Sequence, residues 1–249
     1  MSSITISPVV NHLIACLPKK DRSQLLDNCE PVDLTFGTVL CEPGEVFPFV
    51  YFPLTGFISL MTVVGKHPAL EVAMIGSEGM LGATLALGMD TALLRGEVQG
   101  SGTALRMTLP HLKDELEKSP ALVRVLNRYV FVFMKQQSQS SACNSFHEVD
   151  ARLARWLLMA HDRSHADYFH FTHQYLADML GVQRSAVTIA AGVLRDKKLI
   201  RYARGKITVT DRLGLEAVSC ECYAATRAQY SKKLASPCEG RIAVGSHIH

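Results

Sequence analysis

Four side chains that can hydrogen-bond to DNA bases lie close together in the sequence. They are Gln183, Arg184, Ser185 and Thr188, at the start of a segment with helical spacing. The N-terminal residues of a recognition helix enter the major groove, where an arginine can bond both O6 and N7 of guanine. The pattern therefore predicts base readout by these four residues, with Arg184 as the principal contact.

A second set of side chains around this segment could bind the DNA backbone. Phosphate contacts from basic and hydroxyl side chains add affinity and salt dependence but carry no sequence information. The predicted phosphate contacts are Thr172, Lys197, Arg201, Arg204 and Lys206.

Residues 173–190 have the pattern of a helix-turn-helix, which would position both sets. Apolar residues are spaced to fill the corner between two helices, at Leu176, Leu180, Val182, Val187 and Ala190. Ala177 allows the helices to approach, and Gly181 allows the chain to turn. Residues 199–210 then follow a strand, turn, strand pattern whose turn is basic. The sequence predicts a winged helix-turn-helix.

The N-terminal part has a different pattern. Residues 31–107 are short apolar runs separated by turn residues, which predicts an antiparallel β barrel of jelly-roll type. A short helical segment is expected within residues 8–30, and strands are expected at residues 70–75 and 96–107. From residue 109 onward the spacing becomes helical, so the fold class is α+β.

A long helix is predicted after the barrel. One stripe of this helix is spaced by alternating fours and threes, at Leu122, Leu126, Tyr129, Phe133, Gln136 and Ser140. Helix-turn-helix proteins commonly bind two half-sites roughly 34 Å apart as dimers, so the favoured interpretation is a two-fold dimer interface. The alternative is a core helix packed on its own barrel, and the polar lower half of the stripe favours it.

These elements divide the chain into four parts. We predict a β-barrel domain with its helical segment at residues 1–118 and a dimerisation helix at residues 119–146. The winged helix-turn-helix follows at residues 147–233, and residues 234–249 are expected to form a mobile tail.

Charge and hydropathy restrict the partners of the chain. From residue 145 onward, 15 Lys and Arg stand against 10 Asp and Glu, whereas residues 1–144 hold 11 and 13. A basic C-terminal part suits a polyanionic partner, although uneven scatter of surface charge gives the same count. No secretion signal or membrane-spanning run is recognised. We therefore expect a cytoplasmic protein with no membrane partner and with its seven cysteines reduced.

No metal site is assigned from the sequence, because the spacing of the histidines does not support one. Four histidines are close in sequence, but the loop and strand between them give no helical metal-ligand geometry: His161, His165, His170 and His173. The pair in Cys220-Glu221-Cys222 leaves two alternatives open, a redox or metal role and simple packing.

The order of barrel, long helix and winged helix-turn-helix resembles the Crp/Fnr family of bacterial transcription regulators over residues 10–232. The resemblance is strongest at residues 172–207, and barrel turns such as Pro43-Gly44-Glu45 are similar to the family's turn motifs. It implies a homodimer that binds a pseudo-palindromic site in double-stranded DNA, with RNA polymerase as a further partner. It also implies that the barrel senses a small-molecule effector.

Within this resemblance, the effector pocket is expected at Gly82, Ala83, Thr84 and Arg95. Members that bind cyclic nucleotides share a Gly-Glu-Leu for the ribose and an Arg-Ser/Thr-Ala for the phosphate. Here Ala83 replaces the glutamate, and Arg95 is displaced by one position with no hydroxyl after it. A buried cyclic phosphate needs charge-assisted partners, so we expect that cyclic AMP is not the effector.

No cofactor is predicted, and other classes of function have less support. The closely spaced N-terminal cysteines of the iron–sulfur members are not reproduced by Cys16, Cys29 and Cys41. An enzyme would need acid–base groups from Glu42, Glu45, Glu71 and Glu78, but no nucleophile–base or metal signature accompanies them. The remaining alternative is a non-catalytic interaction or architectural protein that uses the winged helix for protein contacts.

Overall fold

The computed structural model describes residues 10–164, 166, 168–203 and 205–234. Three features named above lie outside the described residues: Arg204, His165 and residues 235–249 of the predicted tail. The predicted N-terminal helical segment consists of α1 (His12–Ala15) and α2 (Lys19–Asp27). Asn11 caps α1, and its side-chain amide donates to the carbonyl oxygens of Pro53 at 3.0 Å and Gly79 at 2.8 Å.

Two antiparallel sheets form the N-terminal part. The strands are β1 (Glu30–Leu34), β2 (Val39–Cys41), β3 (Phe49–Pro53), β4 (Phe57–Thr62), β5 (Leu70–Ile75), β6 (Arg95–Gly100) and β7 (Gly102–Thr108). One sheet has the order β1-β7-β3 and the other β2-β6-β4-β5. This arrangement fits the predicted jelly-roll class, although no continuous ladder closes the two sheets into one barrel within the described part of the chain.

The single strand predicted at residues 96–107 is divided in two. Its halves, β6 and β7, belong to different sheets, and the chain changes sheets at Ser101. A glycine at residue 102 permits this corner, because a Cβ atom there would lie 2.3 Å from the carbonyl oxygen of Thr55.

Helices dominate the remainder of the chain. They are α3 (Leu109–Lys118), α4 (Pro120–Phe146), α5 (Val149–Ser164), α6 (His173–Leu180), α7 (Arg184–Asp196), α8 (Arg212–Val218) and α9 (Cys222–Leu234). Strands β8 (Tyr168–His170), β9 (Ile200–Ala203) and β10 (Lys206–Val209) form a small sheet in the order β8-β10-β9. Helices α8 and α9 are separated by a short break at residues 219–221.

Two apolar cores meet at the second sheet. The first fills the space between the two sheets and includes Phe52, Ile58 and Leu126. The second belongs to α5, α6, α7 and the small sheet, but it also contains Phe57, Met61 and Met74 from β4 and β5. The helical part therefore packs directly on the N-terminal sheets.

Polar contacts fix the orientation of this packing. The indole Nε1 of Trp156 on α5 donates to Glu71 Oε1 on β5 at 2.7 Å, and the hydroxyl of Ser59 donates to the other carboxyl oxygen. Near the end of α5, Arg163 Nη2 lies 2.6 Å from Glu78 Oε1. Burial raises the pKa of Glu71 to about 7, and the hydrogen bonds from Ser59 and Trp156 partly oppose this rise.

The raised pKa of Glu71 predicts a pH-dependent stability. Between a pKa of 4.5 in the unfolded chain and about 7 in the folded chain, the folded state binds more protons. The free energy of unfolding should therefore fall as pH rises through this window, by at most about 3 kcal/mol. Glu71→Gln mimics the protonated group. The free energy of unfolding of this variant, measured with urea between pH 4.5 and 8, should therefore no longer fall as pH rises.

The matched control is Glu117→Gln, because Glu117 is exposed on α3. This variant should keep the pH dependence of the natural chain. An unchanged slope in Glu71→Gln would show that Glu71 is already ionised in the folded chain at acidic pH.

Candidate nucleic-acid interface

Helices α6 and α7 place the predicted base-reading side chains on one exposed surface. The hydroxyl of Thr172 caps α6 by accepting a hydrogen bond from the Tyr175 backbone N–H at 3.1 Å. Gly181 ends α6 with a φ of +64°, a left-handed conformation that favours glycine. The inner face of α7 is buried at Val187, Ala190, Ala191 and Leu194.

The opposite face of α7 is open to solvent. Gln183, Arg184, Ser185 and Thr188 are all exposed, and Ile189 is 69% exposed. Gln183 is the N-cap residue, but its side chain makes no capping hydrogen bond and is available for other contacts. Among the described residues no carboxylate pairs with Arg184, so its guanidinium is not held away from this surface. The structure thus brings the four predicted base contacts together.

Sequence reasoning missed a contact that joins the recognition helix to the wing. His173 Nδ1 lies 2.9 Å from Thr188 Oγ1, and the Thr188 hydroxyl also lies 3.0 Å from the Arg184 carbonyl oxygen. The His173 ring stacks on Tyr202 of β9, with ring centroids 4.4 Å apart. Partial burial and the charge of Arg184 lower the pKa of His173, which keeps the ring neutral at neutral pH. Only the position of His173 at the start of the predicted motif hinted at this role.

The predicted phosphate contacts within the described residues lie at the start of α6, at the end of α7 and on the wing strands β9 and β10. Lys197 and Arg201 are exposed, and Lys206 on β10 is half-buried. Its ammonium nitrogen lies 3.6 Å from the centre of the Tyr168 ring, a cation–π contact that orients the side chain. Thr172 is exposed, and its hydroxyl can still donate a hydrogen bond while it caps α6.

A separate apolar cavity lies between the second sheet and α4. Its volume is about 100 Å³, and it is lined by Phe47, Leu60, Ile75, Met80, Leu81, Gly82, Ala83, Thr84, Leu93, Leu94, Tyr129, Val130 and Phe133. Three of the four expected pocket residues therefore line one cavity. The hydroxyl of Thr84 is buried there without a hydrogen-bond partner in the described chain.

Arg95 does not line this cavity, contrary to the expectation from sequence. Its guanidinium is paired with Glu97 at 2.9 Å and with Glu42 at 3.3 Å. The displacement by one residue places Arg95 at the start of β6, beside these two carboxylates. The cavity wall is therefore apolar where a cyclic phosphate would need a cation.

The stripe of α4 predicted as a dimer interface packs inside its own chain. We call Leu122, Leu126, Tyr129, Phe133, Gln136 and Ser140 the inner stripe. Leu122, Leu126 and Tyr129 are at most 2% exposed in the N-terminal core, and Phe133 packs against it. Lower on the helix, Gln136 accepts a hydrogen bond from Tyr230 at 2.6 Å, and Ser140 accepts one from Arg155 at 2.9 Å. The buried part of the inner stripe thus follows the alternative interpretation, a core helix, while Phe133 and Ser140 remain partly exposed.

Comparisons with known proteins agree with this architecture. Residues 151–218 match the family model of the Crp-like helix-turn-helix domain. No curated protein is similar enough in sequence to give a significant match. Residues 151–218 are thereby identified as a Crp-like helix-turn-helix domain, and the solved structures of similar fold agree with the predicted architecture of the chain.

Three of these structures illustrate the similarity. A CRP/FNR family transcriptional regulator from Thermus thermophilus has 23% identity and a TM-score of 0.62, over 76% of this chain and 98% of that chain. The c-di-GMP responsive global regulator CLP from Xanthomonas campestris has 14% identity and a TM-score of 0.62, over 77% and 99%. FixK2 from Bradyrhizobium japonicum has 14% identity and a TM-score of 0.62, over 77% and 98%. At these identities the structures establish the fold.

Among the described residues, no helix combines the length and apolar character that crossing a lipid bilayer requires.

Proposed function

We propose that this protein is a sequence-specific DNA-binding transcription regulator that acts as a homodimer and responds to a small effector. The exposed outer face of α7 carries this proposal. Its N-terminal end presents Gln183, Arg184 and Ser185, and the wing strands β9 and β10 carry Arg201 and Lys206. Such an arrangement allows side chains to reach base edges while the lysines and arginines contact phosphates.

A different face of α4 supplies the candidate dimer interface. We call Asn127, Phe131, Met134, Ser138, Ser141 and Ser145 the outer stripe. All six are exposed, they repeat the alternating spacing of four and three, and Phe131 and Met134 are 58% and 63% exposed. The hydroxyls of Ser138 and Ser145 donate hydrogen bonds to the carbonyl oxygens of Met134 and Ser141 in the same helix. These two hydroxyls therefore need no partner from a second helix that packs on the outer stripe. Antiparallel or parallel pairing of two such helices would bury both large apolar side chains.

The cavity beside α4 suggests the chemistry of the effector. Its lining is apolar and its volume of about 100 Å³ is below the roughly 300 Å³ of a typical small-molecule site. A compact, mostly apolar molecule with one hydrogen-bonding group for Thr84 suits this space. Binding there would press on Tyr129, Val130 and Phe133 of α4, the helix that also carries the outer stripe.

The direct readout by Arg184 can be tested by substitution. Arg184→Ala should reduce discrimination at one guanine by about 1–3 kcal/mol. Arg184→Lys keeps the charge but loses the two-pronged geometry, so it should keep non-specific affinity and lose the same discrimination. Selected sites and single-base variants of them, compared by fluorescence anisotropy at fixed salt, would measure both effects.

Substitution of a wing lysine tests a phosphate contact, and substitution of a distant lysine is its control. Lys206→Ala should weaken all sequences equally and lower the slope of log affinity against log salt by about one. Lys20→Ala, on α2, should change neither quantity. Equal loss on every sequence for Arg184→Ala would contradict base readout by this residue.

The outer stripe predicts the oligomeric state. Sedimentation equilibrium should show a dimer at micromolar concentration, and Met134→Glu should shift it to monomer because two carboxylates would face each other in an apolar contact. Leu213→Glu is the control, since Leu213 is an exposed apolar residue on α8, 77% exposed. A dimer that survives both Met134→Glu and Phe131→Glu would show that another surface forms the interface.

The apolar lining of the cavity predicts that cyclic AMP does not bind there. Titration calorimetry with cyclic AMP at concentrations up to the millimolar range should show no saturable heat, because Arg95 is paired with Glu42 and Glu97 outside the cavity. Saturable binding with micromolar affinity would contradict this assignment of the pocket.

A further inference from the structure

Three thiols and one imidazole meet at the junction between the long helix and the DNA-binding part. Cys143 lies in the last turn of α4, and His147 is the C-cap residue of the same helix, four positions later. Cys220 and Cys222 lie where α8 gives way to α9. The ligand atoms of these four residues all lie within 4.8 Å of one another.

From this juxtaposition, we propose that Cys143, His147, Cys220 and Cys222 bind one Zn²⁺ ion in a tetrahedral site. Thiolate and imidazole are the ligands that Zn²⁺ prefers, and three cysteines with one histidine is an established structural donor set. The site would join two segments that are 73 positions apart in sequence, from His147 to Cys220.

The distances between ligand atoms fit a single ion. With Zn–S near 2.3 Å and Zn–N near 2.0 Å, a tetrahedron has edges of about 3.8 Å between two sulfurs and about 3.6 Å between sulfur and nitrogen. Cys143 Sγ and Cys220 Sγ are 3.5 Å apart, and Cys222 Sγ and His147 Nδ1 are 3.6 Å apart. A disulfide would need a sulfur–sulfur distance near 2.05 Å, and an iron–sulfur cluster would need room for several atoms between the ligands.

The surroundings of the four ligands suit a metal thiolate. Gln139 Nε2 donates to Cys222 Sγ at 3.0 Å, and Arg155 Nη1 lies 3.5 Å from Cys143 Sγ. Three thiolates and a divalent ion leave one negative charge, which the Arg155 guanidinium offsets.

Glu221 completes the arrangement as a positioning residue. Its carboxylate Oε1 lies 3.1 Å from His147 Nε2, which fixes the proton on Nε2 and directs the Nδ1 lone pair towards Cys222. Carboxylate, histidine and metal in this order are a recurrent feature of zinc sites. The three sulfur atoms belong to buried residues, and an open groove lined by Cys220 and Glu221 gives an ion access.

Metal content is the direct test. The full chain, purified under reducing conditions without added metal or chelator, should contain about one zinc ion per chain by inductively coupled plasma mass spectrometry. Cys143→Ser and Cys222→Ser should each lose this zinc, whereas Cys29→Ser and Cys41→Ser, which change thiols outside the cluster, should retain it.

A second measurement on the unmodified chain guards against variants that fail to fold. After removal of zinc, titration with Co²⁺ should saturate at one equivalent and produce thiolate-to-cobalt charge-transfer absorption. Glu221→Gln should keep the stoichiometry but weaken zinc affinity about tenfold in a chelator competition. The readouts are independent of DNA, so they stand apart from the proposed regulatory function.

Three outcomes would overturn the proposal. The first is a zinc content below a tenth of an ion per chain together with no cobalt charge-transfer band. The second is a Cys143–Cys220 disulfide, detected as the loss of two hydrogens in the intact mass of freshly purified protein. The third is stoichiometric iron with inorganic sulfide in place of zinc.

Discussion

The hydrogen bond from Trp156 to Glu71 fixes the DNA-binding part on the N-terminal sheets, and the position of the recognition helix depends on it. Apolar contacts such as those of Phe57 and Met74 stabilise the docking but have no preferred direction. The indole N–H and the largely buried carboxylate must meet at 2.7 Å, because either group left without a partner would cost free energy. A hydrogen bond of 2.9 Å from Tyr175 to Gln99 adds a second fixed point on α6. Helix α7 packs on α5 and α6, so its exposed face is oriented by the same contacts.

The parts of the fold that depend on local pattern could be predicted from sequence. The helix-turn-helix was recognisable because its determinants, a cap at Thr172, a left-handed glycine at residue 181 and an apolar corner, lie within a few residues. The exposure of the four proposed base contacts on one face of α7 follows from the same helical spacing. By contrast, the spacing of the inner stripe established only that one side of α4 is buried. It could not reveal that Tyr129 packs under Gly79, because that contact joins segments 50 positions apart.

The other differences between the sequence predictions and the structure also arise from contacts between segments that are far apart in sequence. The corner at Ser101 depends on the close approach of residue 102 to Thr55, which no periodicity reports. Arg95 was assigned to the effector pocket by its neighbours in sequence, yet the carboxylates of Glu42 and Glu97 determine where its charge lies. The Cys220-Glu221-Cys222 motif indicated two members of the thiol and imidazole cluster. The other two, Cys143 and His147, lie at the end of α4, before the DNA-binding part begins, so their proximity could not be predicted from sequence.

Helix α4 extends from the apolar cavity to the thiol and imidazole cluster. It has 27 residues and is therefore about 40 Å long. Its upper half walls the apolar cavity, and its last turn contributes to the thiol and imidazole cluster. A rigid element that touches both can pass a shift at one end to the other without unfolding, since helices move as units.

The return of α9 to α4 has a mechanical consequence. The winged helix-turn-helix leaves α4 at His147 and comes back at Cys220, and α9 then packs along α4, where Tyr230 bonds Gln136. A domain attached by one strand of chain can swivel about three axes. A domain whose two attachment points lie side by side has less freedom, because both connecting segments must move together. Any reorientation of α7 relative to the sheets would therefore pivot near Cys143 and Cys220.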